Sequence, residues 1–421
     1  MLNTQPEGVM MKIAVIGAGL AGLTAASILS EYADVVVYEK EVEGGLASSW
    51  HTEKGYWIEK FYHHCFRGDK ELLEQIKRYK LTNKLVWKVA RVGFAHEDRI
   101  YPLNTPLEIL KYPYLSFTDK IKLALFTYKS RRRNYKEFDE KGVVEGIREE
   151  IGESVLNEFF MPLLKSKFGE NHGEVSYAWL LARVSIRSNR KYSGEELGYM
   201  RGGFQQLVEK MTEGLNIQYE RASLKVGGGL IVNGRDYDAV VFTSPLPELD
   251  GTVRKAAGIA EIKYQSSVCA LIGAEGKVTE DIYWTNIRDR RVFGAMIEHT
   301  NFMPVKDYGE ELVYLASYTT PDGWLYNTPD EDLKKLYLKD LKKYGFNEGD
   351  LNWIEIFRAK YSGPIFEKGY LKKLTDYRTL LKNLYIAGMT SPPNYPERSM
   401  NGSIKAGKEV AEVIKKDFGF E

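Results

Sequence analysis

The chain has 421 residues, 43% of them hydrophobic and 28% charged, and its 59 Lys and Arg nearly balance 58 Asp and Glu, leaving a net charge of +1. That balance gives no global electrostatic ground for nucleic-acid binding, the length predicts two domains rather than one core, and no apolar run is long enough to cross a bilayer. Two cysteines, Cys65 and Cys269, far apart and in no metal-like spacing, exclude a disulfide framework and a cysteine metal site, and fit a reducing cytoplasm. Aromatic residues make up 13% of the chain, with 28 tyrosines, which hints at a lined cavity. Met1 to Val9 is polar, contains Pro6 and Gly8, and lacks the layout of a signal peptide. It is expected to be a frayed extension.

Lys12 to Glu39 organises the rest. The apolar run Ile13-Ala14-Val15-Ile16 predicts a strand, Gly17-Ala18-Gly19-Leu20-Ala21-Gly22 a glycine turn, and Leu23, Ala26 and Leu29 recur at helical spacing. Val35-Val36-Val37-Tyr38 predicts a second strand, ending in Glu39. Strand, glycine turn, helix, strand and acid together form a dinucleotide-binding unit. Gly17 allows the tight turn, Gly19 lets a pyrophosphate approach the backbone, and Gly22 lets the helix pack close to the sheet. The phosphates would meet the free N–H groups at the helix start, around Leu20 and Ala21. Glu39 lies 22 residues after Gly17, which suits a carboxylate accepting from a ribose diol and disfavours NADP.

Gly44-Gly45-Leu46 follows Glu39-Lys40. Together with the first glycine turn, this resembles the flavoprotein superfamily of amine oxidases, protoporphyrinogen oxidases and phytoene desaturases. The resemblance implies an α/β fold: a Rossmann-like FAD-binding domain with a discontinuous α+β substrate domain. In that family the second glycine pair turns the chain beneath the flavin pyrophosphate, which selects FAD over NAD. The family usually has Arg after the pair. Here Leu46 stands in its place, and Ser48 or Ser49 are candidates to replace part of the lost phosphate contact.

Tyr62-His63-His64-Cys65-Phe66 comes next, where the family's chain passes near the flavin ring. His64 and Phe66 are also similar to the pattern of UDP-galactopyranose mutases. His64 and His63 are the catalytic candidates, by hydrogen bonding or proton transfer. Two histidines satisfied within a loop would look the same in sequence. Thr118 reads as a helix N-cap with Asp119 in the first turn, and the segment 118–136 is basic and aromatic. It could lie on an anionic membrane surface, but the preferred reading is a solvated basic helix end beside its own carbonyls. Arg183, Arg187 and Arg190 share one helical face, where they would grip a phosphate or carboxylate, or face solvent.

Gly202-Gly203-Phe204 marks a return to the first domain. By resemblance, Ala222 contacts the adenine and Ser244, after the strand Ala239 to Phe242, caps its pocket. Lys263 to Gly273, Val313 to Thr319 and Ile354 to Tyr361 predict strands, and Asp330 to Tyr344 a helix: a sheet roofing the cofactor. Leu384-Tyr385-Ile386-Ala387-Gly388-Met389 predicts a strand ending in a glycine turn, followed by a proline-rich loop. A helix starting near Gly402-Ser403-Ile404 would aim its N-terminus at the flavin N1–C2 edge and stabilise charge there.

The implied domains are 10–90, 199–260 and 376–421 for FAD, and 91–198 with 261–375 for substrate. FAD would be non-covalent, since neither cysteine sits in an attachment motif. The expected function is hydride acceptance from a C–N or C–C bond of a small-molecule substrate, such as an isoprenoid, a porphyrinogen-like ring, a polyamine or a glycolipid precursor. Tyr62, Arg183, Arg187 and Tyr395 are the substrate-binding candidates. No motif specifies the electron acceptor, and none implies a metal or nucleic acid. Two alternatives share the fold: a UDP-galactopyranose-mutase-like isomerase, and a non-catalytic binding protein like the Rab GDP-dissociation inhibitors.

Overall fold

The computed structural model describes residues 10–186, 195–289 and 291–420. At its centre, strand Lys12–Ile16 lies between Asp34–Tyr38 and Ala239–Phe242, with Asn216–Gln218 and Leu384–Ile386 at the two edges. All neighbours in this five-stranded sheet run parallel. Ile13, Ala14, Val15 and Val37 are fully buried, as continuous β-branched runs require when both sheet faces are covered. Helix Leu20–Leu29 covers one face, and the C-terminal helix Met400–Phe418 packs against it. Segments from both ends and the middle of the chain therefore build one sheet.

A second sheet has seven strands in the order Leu351–Pro364, Tyr264–Ala274, Glu311–Thr319, Ala295–Glu298, Trp284–Ile287, Val92–His96 and Arg99–Pro102. The pairing is antiparallel except between Trp284–Ile287 and Val92–His96. Helix Asp330–Leu341 backs this sheet with Leu333, Tyr337 and Leu341, all fully buried. Tyr337 satisfies its hydroxyl on Ser317 Oγ at 2.6 Å. The three strands predicted here are present. Trp284–Ile287 and Ala295–Glu298 were not legible, because four-residue strands leave no period to read.

The connection from 106 to 186 is largely helical and includes Phe117–Ser130, Met161–Phe168 and Tyr177–Ile186. Two helix starts differ from expectation. The cap of Phe117–Ser130 is Ser116, not Thr118: its Oγ accepts from the Asp119 N–H at 3.1 Å. A cap accepts from the third helical residue, so Asp119 fixes the cap at 116. The closing helix begins at Met400, two residues before Gly402, because Ser399 Oγ accepts from the Gly402 N–H at 2.9 Å.

Candidate functional site

The three glycine turns meet beyond the carboxyl ends of the parallel strands, where open α/β sheets bind ligands. Gly17 has φ +108°, and its N–H donates to Tyr38 O at 2.8 Å. Gly44 donates to Ala18 O at 2.8 Å and bridges to Gly19, so the second glycine pair lies directly on the first. Thr243 Oγ1 donates to Gly17 O at 2.9 Å, and a Cβ on Gly388 (φ +133°) would sit 3.2 Å from Thr243 O. Thr243 thus joins the first and last turns, and Ser244 lies beside it against Gly17.

The cradle has the chemistry of an anion site. No side chain caps helix Leu20–Leu29, so the N–H groups of Leu20, Ala21 and Gly22 have no partner within the helix. A Cβ on Gly19 would meet nothing within 4 Å, leaving that backbone open to close approach. Ser49 Oγ is buried without a hydrogen-bond partner among the described residues, next to the second glycine pair. Glu39 accepts from the N–H groups of Ala18 and Glu41, each at 2.9 Å, which aims its carboxylate at the turn. Its second lone pairs stay available to a diol.

Other expected positions do different work. Lys40 pairs with Glu248 at 2.5 Å, so its ammonium is committed within the protein. Ala222 is half-buried beyond strand Asn216–Gln218, the strand whose Gln218 O accepts from the Glu39 N–H. Met389 and Ser403 are half-buried, while Ile404 is wholly enclosed and serves packing. A Cβ on Gly402 would lie 2.9 Å from Pro393 O, so this glycine seats the helix on the proline loop.

A cavity of about 1540 Å³ opens beside the cradle, lined by Leu46 at one side and by Ser399, Met400 and Asn401 at the start of the closing helix. Tyr62, His63 and His64 form its wall. Tyr62 crosses Trp284 edge-on at 4.8 Å and meets the Tyr318 hydroxyl at 2.8 Å. His63 Nδ1 is 2.6 Å from Phe61 O and so carries the proton, leaving Nε2 as an acceptor. Burial, opposed by that hydrogen bond and helped by the nearby Arg398 charge, brings its pKa down to about 4. Its residual exposure is to the cavity it lines. His64 stands edge-on to Phe66 at 5.3 Å and to Trp284 at 6.3 Å.

Arg183 also reaches the cavity, ion-paired with Glu397 and 5.3 Å above the Trp179 ring. Arg187 lies outside the described residues. Tyr395 lines the cavity, but its hydroxyl is held by Asp139 at 2.5 Å. Sequence reasoning missed Lys167, Trp284, Tyr318 and Arg398. Arg398 had a signal, since it directly precedes the helix cap Ser399. The others come from separate elements and had none.

The family model for flavin containing amine oxidoreductase matches residues 20–415. The chain belongs to this family. Among curated relatives, the 15-cis-phytoene desaturase of Synechococcus elongatus is 29% identical over 209 residues, covering 45% of this chain and 43% of that protein. The 15-cis-phytoene desaturase of Arabidopsis thaliana is 22% identical over 97% of this chain and 80% of its own length. A solved structure of reduced UDP-galactopyranose mutase superposes with a TM-score of 0.72 at 17% identity, covering 96% of both chains, a likeness of fold.

The chain is a flavin-dependent oxidoreductase with FAD as cofactor, rather than the non-catalytic binding protein also considered. The uncapped helix start, the open Gly19 backbone and the buried Ser49 hydroxyl fit a dinucleotide pyrophosphate. Cys65 and Cys269 are free and buried, and burial pushes the Cys65 thiol up to about 12. Among the described residues, no helix is long and apolar enough to cross a membrane, and no side-chain cluster could hold a metal ion.

Proposed function

We propose that the enzyme oxidises an organic substrate at a C–N or C–C bond, with the reacting carbon held in the cavity against Tyr62, His63 and His64. The supporting observation is continuity: one cavity runs from the second glycine turn, at Leu46, to the histidine wall. Bound FAD would supply the two-electron acceptor, taking hydride at N5 and leaving the substrate with a new double bond and one proton to release. His63 stays neutral and offers Nε2 as a positioning acceptor, while His64 handles the released proton. The aromatic lining excludes water and strengthens both interactions. Helix Met400–Phe418 begins at the cavity wall, and its N-terminal end would stabilise negative charge on a reduced flavin bound there.

Anaerobic mixing with candidate amines, isoprenoids and porphyrinogen-like rings tests this reading. One class should bleach the flavin absorbance, and His64→Ala should keep FAD while losing turnover. Normal turnover in that variant removes His64 from the chemistry. The isomerase alternative draws on Arg183 at the cavity wall, and tight UDP binding with no substrate-driven bleaching would favour it.

The same reading includes a membrane surface. Phe117, Ile121, Leu125 and Tyr128 follow one another along one face of their helix and are all exposed, Phe117 at 66%. Leu107 and Leu110 are exposed on the preceding helix. Lys120, Lys122, Lys129 and Arg131 lie among them, so the surface suits the face of an anionic bilayer.

A further inference from the structure

Arg398 lines the cavity half-buried, and among the described residues it has no hydrogen-bond or ion-pair partner. Its side chain lies flat on strand Leu351–Pro364, where a Cβ on Gly363 would come within 2.6 Å of Nε. Its guanidinium donors therefore face the cavity, where an anionic ligand can supply the acceptors the protein does not. Next to it, Arg183 and Lys167 share a single carboxylate, Glu397. The Lys167 ammonium sits 5.0 Å over Trp179 and 5.9 Å over Tyr318, whose hydroxyl touches Tyr62. Arg398, Arg183 and Lys167 therefore gather around Glu397 on one side of the cavity, while the other carboxylates of its lining, Asp69, Glu195 and Glu196, belong to separate segments of the wall.

The remainder of the cavity differs in chemistry. One turn before Lys167 on the same helix, Leu163 and Leu164 face it, followed by Phe159, Phe160 and Phe126. Phe160 meets Phe126 edge-on at 6.2 Å, and Phe126 belongs to the helix with the exposed apolar face. Lys120 and Arg131 stand at the rim. A plain hydrocarbon would leave Arg398 unmatched, and a nucleotide sugar would leave the aromatic part wet.

We propose that the cavity takes a long-chain lipid bearing one acidic head, a phosphate ester or a carboxylate, with the head held by Arg398, Arg183 and Lys167 and the chain lying along the aromatic part. The inference rests on the proposed oxidoreductase reading and names its substrate class. The acidic head would place a bond near the start of the chain beside His63 and His64, because Lys167 sits over Tyr318, whose hydroxyl meets that of Tyr62 in the same wall.

The test is equilibrium binding to the FAD-loaded enzyme by calorimetry, independent of turnover. The probes are dodecyl phosphate, dodecanoate, dodecanol, inorganic phosphate and UDP, the amphiphiles below micelle formation. Dodecyl phosphate or dodecanoate should bind at least tenfold more tightly than dodecanol, and inorganic phosphate and UDP should bind far more weakly. Arg398→Gln should erase the advantage of the acidic head without altering dodecanol binding or flavin content, and Arg398→Lys should restore part of it. Equal binding of dodecanol and the acidic probes, tighter binding of UDP or inorganic phosphate, or an unchanged Arg398→Gln variant would each overturn the proposal. The comparison among probes on the unmodified enzyme stands even where a variant folds poorly. Flavin bleaching by an uncharged substrate, with no acidic-probe advantage, would preserve the oxidoreductase reading and sink this one.

Discussion

Gly407 of the C-terminal helix lies against the carbonyl of Ala21 in the first helix, and a Cβ at 407 would overlap that oxygen and come 2.8 Å from Thr24 Cβ. Two helices from opposite ends of the chain approach backbone to backbone at this point. The contact sets where the start of the closing helix stands relative to the glycine cradle.

Gly407→Val should therefore push the helices apart. Overpacking of this kind costs about 1–3 kcal/mol. The melting temperature should fall and flavin content with it, measured by thermal scanning and by absorbance per polypeptide. An unchanged flavin-to-protein ratio would mean that helix spacing does not govern the site.

Gly19 and Gly22 should separate binding from folding. Gly19 has ordinary extended backbone, φ −74° and ψ 174°, with open space where a Cβ would go. Gly19→Val should leave apoprotein stability within about 0.5 kcal/mol while FAD affinity falls by ~100-fold or more. At Gly22 a Cβ would overlap the Gly17 carbonyl and lie 2.7 Å from Thr243 Oγ1. Gly22→Ala should destabilise the apoprotein itself. Chemical denaturation of both apoproteins, with flavin titration, checks the contrast.

Stability should fall on mild acidification. Burial lowers His299 to about 3, and burial with the Arg398 charge lowers His63 to about 4, against an ordinary value near 6.5. Between those values the unfolded chain binds more protons than the folded one, so the stabilisation present above pH 6.5 is lost as pH drops towards 4 and then 3. Glu298 acts in the opposite sense, since burial raises it to about 7 and its contribution declines as pH rises towards 7. His299→Gln, which keeps a partner for Tyr308, should flatten the acid limb of a plot of Tm against pH. An unaltered slope would place the proton uptake elsewhere.

The exposed helix face predicts lipid-dependent sedimentation. The enzyme should float with vesicles containing phosphatidylserine and much less with neutral ones, and raising the salt to about 0.5 M, which roughly halves the Debye length, should weaken the association. Replacing Phe117, Ile121 and Leu125 by Ser should abolish flotation without changing the melting temperature, because all three side chains are already exposed. Flotation that survives the triple substitution would assign the contact to another surface.

Much of the cradle was legible because its constraints are local. A turn that must be tight at Gly17, a backbone that must stay open at Gly19 and an acid at Glu39 occur within one β-α-β unit. The caps at Ser116 and Ser399 were legible only in part, since several neighbouring residues can accept a hydrogen bond and packing selects one. Lys167, Trp284, Tyr318 and Arg398 gave little or no warning. Each sits on a different element, and nothing in one element's pattern tells which partner it will face.

The sequence alone determined the nucleotide-binding unit, because glycine sterics and β-branched burial act over a few residues and leave a mark at fixed spacing, while the flavin and the family were read from the resemblance that the second glycine pair adds to it. Only the tertiary structure decided that three turns share one anion site, that Lys40 is occupied by Glu248, and that Arg183, Lys167 and Arg398 gather beside two histidines. The physical reason is range: backbone geometry is set by near neighbours, whereas a charge in a cavity is defined by groups that meet only once the sheets have closed.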